Sequence, residues 1–355
     1  MEALKLENIS MKFGSFTAVN DISLTVEKGS FLTLLGPSGC GKTTLLKMIG
    51  GFYKPTNGKI SINERDVTQL PPEKRNTTMC FQSYALFPHL TVAENITFGL
   101  KQQKISKPER IKRIEKVSDQ VDLKTQLEKY PSMLSGGQQQ RVALGRALAM
   151  RSDIILFDEP LSNLDAKLRE QVRFEIRELQ KEYGFTAIYV THDQAEALAM
   201  SDNIAVMNKG KIEQYGTPEE IYKNPKSCFI ADFIGTANIM EGEFSRRDDD
   251  FDYFSTPLGE IKIPSVKNDR KKSVMISWRP EEVEIDTDKT GDNVFTLTVH
   301  SSVYQGNITD LHLTNNKDSK NFRVQTLHNR KKEQGETVKI YIAPDNFTIL
   351  ESENE

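Results

Sequence analysis

Residues 36–43 read GPSGCGKT, two glycines framing four residues and followed at once by Lys42 and Thr43. The apolar run before them, SFLTLLG (30–36), reads as a short buried strand, and KTTLLKMIGG (42–51) as a helix ended by Gly50 and Gly51. A strand that turns through glycines into a helix points consecutive backbone N–H groups into one concavity. The positive end of the helix adds to it, and the result is a cradle for phosphate. Gly36, Pro37, Ser38, Gly39, Cys40 and Gly41 line it, Lys42 supplies an ammonium for the β- and γ-phosphates, and the Thr43 hydroxyl, followed by Thr44, a ligand for Mg²⁺. Few folds accept such a junction: it belongs at the carboxyl edge of a largely parallel sheet in an α/β unit.

The chain beyond the junction fits that unit. DIILFDE (153–159) and FTAIYVTHD (185–193) read as two more buried strands with polar residues at their C-terminal ends. Asp158 is placed to hold Mg²⁺, through water because that ion keeps part of its hydration shell. Glu159 is the expected base that orients and polarises an attacking water, and His192 the expected hydrogen-bond partner of a γ-phosphate. Gln82, in MCFQSYALFPHL, stands where the sheet gives way to a charged, helix-patterned stretch, about 83–150, that includes KPERIKRIEKVSDQVDL. The stretch reads as a helical subdomain inserted between sheet strands, and the Gln82 amide can serve both metal and water. Tyr84, Leu86 and Phe87 follow it, either packed inside that subdomain or lining a groove for a partner helix.

A second glycine pair lies in LSGGQQQR (134–141). Ser135 is a natural helix cap, but Gly136 and Gly137 before QQQRVALGRALAM exceed what a cap needs, since each glycine adds backbone entropy to be lost on folding. Ser135, Gly136, Gly137 and Gln138 therefore read as a second anion cradle. Two different half-sites in one chain imply that one copy's second cradle closes over the nucleotide held by another copy, in a head-to-tail pair.

Composition narrows the functions. A formal charge of -3 over 355 residues offers no basic field for nucleic acid, and the Lys/Arg clusters around 270–272 and 330–332 read as solvated loops. Three cysteines are no disulfide framework and fit a reducing cytosol. MEALKLENIS has no signal-peptide pattern, and no apolar run approaches the roughly 18 residues that span a bilayer.

Taken together, the motifs resemble the ATP-binding cassette of ABC transporters. GPSGCGKTT resembles its Walker A motif, FQSYALFPH its Q-loop, LSGGQQQR its signature, ILFDEP Walker B, SNLD (162–165) the D-loop and VTHD the H-loop, all in the family's order. Phe13 sits where the family stacks an aromatic on adenine, and Asn163 departs from the commoner Ala. The resemblance implies a domain over 1–235 that binds and hydrolyses ATP with Mg²⁺. It further implies a second ATPase subunit, two membrane permease subunits whose short helices dock beside the Q-loop, and an extracytoplasmic solute-binding protein. The chain would then lie peripherally on the cytoplasmic face of the cell membrane. After NPKSCFIADFIGTAN the pattern changes to alternation, as in Val274-Ile276-Trp278 and Val338-Ile340-Ile342, which predicts a small all-β, barrel-like domain over 236–355. There FIADFIGTANIMEG, WRPEEVEI and VYQGNITDLHLT resemble the oligomer-binding-fold (TOBE-like) region of importer ATPases for polyamines, ferric iron, aminophosphonates or sugars. With QSYALFPHLTV, the spermidine/putrescine branch is the one most resembled. Two rivals remain: a soluble cassette acting without a permease, and a degenerate cassette that only senses nucleotide.

Overall fold

The chain opens with a hairpin, β1 (Glu2–Phe13) and β2 (Phe16–Glu27), and β1 continues a small antiparallel sheet through β4 (Asn57–Ile62) and β5 (Arg65–Asp66). Between them come the strand β3 (Phe31–Leu35) and the helix α1 (Lys42–Ile49) of the glycine junction. β3 is the middle of a second sheet that also holds β6 (Thr77–Cys80), β7 (Ile154–Asp158), β8 (Thr186–Thr191), β9 (Asn203–Asn208) and β10 (Lys211–Gly216). Its order is β10-β9-β3-β8-β7-β6, parallel except at β10.

Every residue of FLTLL, IILFD and TAIYVT is buried, as strands covered on both faces require. Leu32, Leu34, Leu156, Ile188 and Val190 face a core shared with α1 and the antiparallel sheet. Phe31, Ile155, Phe157, Ala187 and Tyr189 face a second core, closed by the helical insert. That insert lies between β6 and β7 and contains α2 (Val92–Gln102), α3 (Lys107–Gln120) and α4 (Gly136–Met150); α5 (Ala166–Tyr183) and α6 (Gln194–Met200) flank β8. α1 ends as expected at Gly50, and its terminal carbonyls find a partner the sequence did not announce. The buried Arg75 guanidinium donates to the carbonyls of Met48 (2.7 Å) and Ile49 (3.0 Å), satisfying groups a helix end leaves open.

A computed structural model describes residues 1–248, 250–265, 272–315, 320–327 and 332–351. They fall into two compact units, Met1–Pro218 and Glu219–Glu355. This division comes earlier than the boundary expected at 235. Arg279, buried in the second unit, donates to the carbonyls of Tyr222 (2.9 Å), Ala231 (3.1 Å) and Thr236 (3.1 Å) and so helps bind the segment before 235 to the β-strands. Two five-stranded antiparallel sheets, one centred on Asn238–Arg247 and one on Val294–Tyr304, enclose a single core in the second unit. Ile276, Trp278, Leu297, Val299, Val338, Ile340 and Ile342 all point into it, as their alternation predicts. Arg270, Lys271, Arg330 and Lys331, read from sequence as solvated loops, lie outside the described residues.

Candidate nucleotide site

Register assembles the site. Leu35 pairs with Thr191, Asp158 with Val190 and Cys80 with Phe157, so β3, β8, β7 and β6 end at one edge of the sheet. The phosphate loop, His192, Glu159 and Gln82 follow those ends directly.

The loop is wedged in place from behind. A Cβ at Gly36 would overlap the Met207 carbonyl, and one at Gly41 the Ala18 carbonyl, while Gly41 also holds φ at +108°, a conformation that favours glycine. Gly39, at φ +80°, has nothing within 4 Å of a Cβ and faces open space together with the exposed Ser38. Pro37 and Thr44 are half-buried. Cys40 turns its side chain into the core, where burial pushes its thiol pKa up, so its share in the cradle is its backbone alone. Lys42 is buried and its Nζ donates to the carbonyl oxygens of Gly36 (2.7 Å) and Pro37 (3.0 Å).

The Thr43 hydroxyl donates to Asp158 Oδ1 at 2.9 Å. Burial raises the Asp158 carboxyl above its ordinary pKa, against the lowering effect of that hydrogen bond. A desolvated carboxylate beside a hydroxyl at the mouth of an anion cradle is chemistry that a divalent cation would relieve, so these residues fit Mg²⁺. Glu159 leaves its strand at φ +45° and is held there by its N–H donating to the Val190 carbonyl at 3.1 Å. Its Oε2 lies 3.2 Å from His192 Nδ1.

Gln82 is exposed, and its Nε2 donates to Ser162 Oγ at 3.2 Å. Ser162 Oγ in turn donates to the Glu159 carbonyl at 3.0 Å, and Asn163 Nδ2 donates to the Gln82 carbonyl at 3.0 Å. From the other side, Arg146 of α4 donates to the carbonyls of Tyr84 (2.9 Å) and Ala85 (2.7 Å). Sequence reasoning noticed Asn163 as a departure without finding its partner, and missed Ser162 and Arg146. Of the three residues with two open readings, Tyr84 is buried, which favours packing; Leu86 and Phe87 are half-buried, the Phe87 ring 4.3 Å from that of Phe98.

Phe13 ends β1 half-exposed, edge-on to Tyr53 at 5.7 Å, a second aromatic that sequence reading did not single out. At the second glycine pair the helix begins two residues earlier than expected. Gly136 and Gly137 are its first residues, and Ser135 caps them, its Oγ accepting from Gln138 N (3.4 Å) while Gln138 Oε1 accepts from Ser135 N (3.0 Å). The glycines differ. A Cβ at Gly137 would press Leu168 at 2.9 Å, so that position serves packing, whereas Gly136 is exposed and only Leu164 comes near, at 3.6 Å. Among the described residues no hydrogen bond joins this cradle to the phosphate loop of the same chain.

Fold and site together define an ATP-binding cassette. The family model for the ABC transporter matches residues 19–162, and that for the TOBE domain residues 276–350. The chain is 46% identical over 314 residues to the spermidine/putrescine import ATP-binding protein PotA of Chromobacterium violaceum, covering 87% of each. It is also 46% identical over 304 residues to the Fe(3+) ions import ATP-binding protein FbpC of Fusobacterium nucleatum, covering 85% of this chain and 81% of the relative. Among solved structures, CbiO1 of Clostridium perfringens, part of the ABC transporter complex CbiONQ, matches with a TM-score of 0.59 at 28% identity, over 62% of this chain and 90% of the other. A dimeric cassette in a post-hydrolysis state bound to ADP and Pi matches at 0.55 with 34% identity, over 61% and 98%. The chain belongs to the ABC transporter family, as the ATP-hydrolysing subunit of an importer with a C-terminal TOBE domain.

Proposed function

We propose that this subunit works as one of a head-to-tail pair, at the cytoplasmic face of the cell membrane, on two permease subunits fed by an extracytoplasmic solute-binding protein. Among cargoes we favour a polyamine, spermidine or putrescine; ferric iron is the second reading, because relatives named for each reach the same identity. The observation that carries the mechanism is the common edge at which β3, β6, β7 and β8 end.

In this reading the loop N–H groups hold the phosphates, and Lys42 leaves the Gly36 and Pro37 carbonyls to meet the γ-phosphate. Thr43, Asp158 and the Gln82 amide would hold Mg²⁺, which neutralises charge on the phosphates. Glu159 takes a proton from water as the water oxygen bonds to the γ-phosphorus and the bond to the ADP oxygen breaks. His192, in contact with Glu159, faces the same phosphate. Phe13 offers a ring to adenine, and Ser135, Gly136, Gly137 and Gln138 of the second copy close over the triphosphate.

The test is Glu159→Gln. This variant should bind MgATP like the wild type, lose at least about a hundredfold in turnover, the scale general-base loss produces, and run as a dimer on gel filtration with MgATP. A monomer at saturating MgATP would refute the shared site. Uptake of labelled spermidine against ferric iron by cells with and without the chain decides the cargo.

A further inference from the structure

At the opposite edge of the parallel sheet, where β3, β7 and β8 begin, a cavity of about 380 Å³ lies among residues the nucleotide chemistry does not use. That volume suits a small organic molecule, for which sites run from about 300 Å³ upward. Its floor is apolar, with Val117, Leu148, Ile155 and Phe185 all buried. Its rim is cationic: Lys28, Arg113, Lys116 and Arg151 line it against a single lining acid, Asp153.

The cations are poorly neutralised. Arg113 (2.8 Å) and Arg151 (3.5 Å) share one carboxylate, Glu109. Lys28 and Lys116 form no ion pair among the described residues, and the Lys116 ammonium sits 5.2 Å over the Tyr183 ring. Asp153 Oδ2 is engaged at 2.8 Å by the amides of both Asn63 and Asn76. The Tyr183 hydroxyl, in the same wall, is shut off from solvent with no hydrogen-bond partner. An apolar floor under a surplus of cations selects one class of occupant.

We propose that this cavity binds a small amphipathic organic anion, its aryl or acyl body on the floor and its carboxylate, sulfonate or phosphate among Arg113, Lys116 and Arg151. The wall is drawn from the helical insert through α3 and α4, and from the sheet through the start of β7 and the end of α5. α4 carries Ser135 at its far end, about 22 Å away at 1.5 Å per residue, and β7 carries Asp158 at its own. An occupant therefore ties the insert to the sheet, and its affinity is linked reciprocally to nucleotide occupancy.

The full chain titrated with 1-anilinonaphthalene-8-sulfonate should show saturable fluorescence from one site. The uncharged N-phenyl-1-naphthylamine should bind at least about tenfold more weakly. Lys116→Glu with Arg151→Glu, both at accessible side chains, should weaken the sulfonate by about tenfold or more, and Gln120→Trp, which plugs the mouth, should remove the site. MgATP should shift the sulfonate affinity at least about threefold. The binding proposal is overturned by absence of saturation, by equal affinity for the uncharged probe, or by indifference to both variants in folded protein. An affinity unmoved by MgATP overturns the linkage to nucleotide.

Discussion

Asp310 and Arg323 show what a single pair contributes in the second unit. The Arg323 guanidinium grips the buried Asp310 carboxylate with two hydrogen bonds, of 2.8 and 2.6 Å, and these hold the carboxyl below its usual pKa. A depressed acid stabilises the fold fully above its unfolded pKa of about 3.9, and that contribution drains away as pH falls through the lower folded value. Trp278 is the only tryptophan in the chain and is buried in this unit, so its fluorescence follows the transition. Asp310→Asn should cost about 1.5–3 kcal/mol at neutral pH, the range for a charged hydrogen bond, and flatten the loss of stability as pH falls below about 4. Equal pH slopes in wild type and variant would show that the pair does not set acid sensitivity.

At the scale of elements, the coupling between Q-loop and D-loop matters most. Asn163 to Gln82, Gln82 to Ser162 and Ser162 to Glu159 form a run of hydrogen bonds from the insert's entrance to the end of β7. Asn163→Ala removes one exposed bond worth about 0.5–1.5 kcal/mol. We expect the stimulation of hydrolysis by the membrane subunits to fall about two- to tenfold, with the melting temperature nearly unmoved. Unchanged stimulation in the assembled complex would remove Asn163 from the coupling. β3, β7 and β8 were readable because burial on both faces leaves a continuous apolar stretch, and the glycine junction was readable because few backbones use it. The run itself was not: it joins residues some 80 positions apart, and a linear pattern carries no sign of which amide meets which carbonyl. Tyr84 and Gly137 illustrate the same limit. An aromatic after Gln82 suits a groove or a core equally, and only the approach of Leu168 shows that the second glycine answers to packing.

On the proposed function the molecule carries two unlike half-sites, each completed by the second copy of the chain. Mixing two crippled subunits should therefore restore activity that neither has alone. In a mixed pair, Lys42→Ala and Ser135→Arg leave both defects in one composite site and keep the other intact, whereas a pair of identical variants has no sound site. Equal mixtures should regain roughly a quarter of wild-type turnover if pairs form at random and the two sites work independently, and no regain would show that each chain acts alone. On the same proposal the exposed Gly136 bears on the cell as well as on turnover. A chain marred at this one glycine should still fold and enrol a healthy sibling, yet with independent sites it spoils only one of the pair's two composite sites, so such an allele would be felt as a partial loss in proportion to its dose in a cell that also makes the sound form.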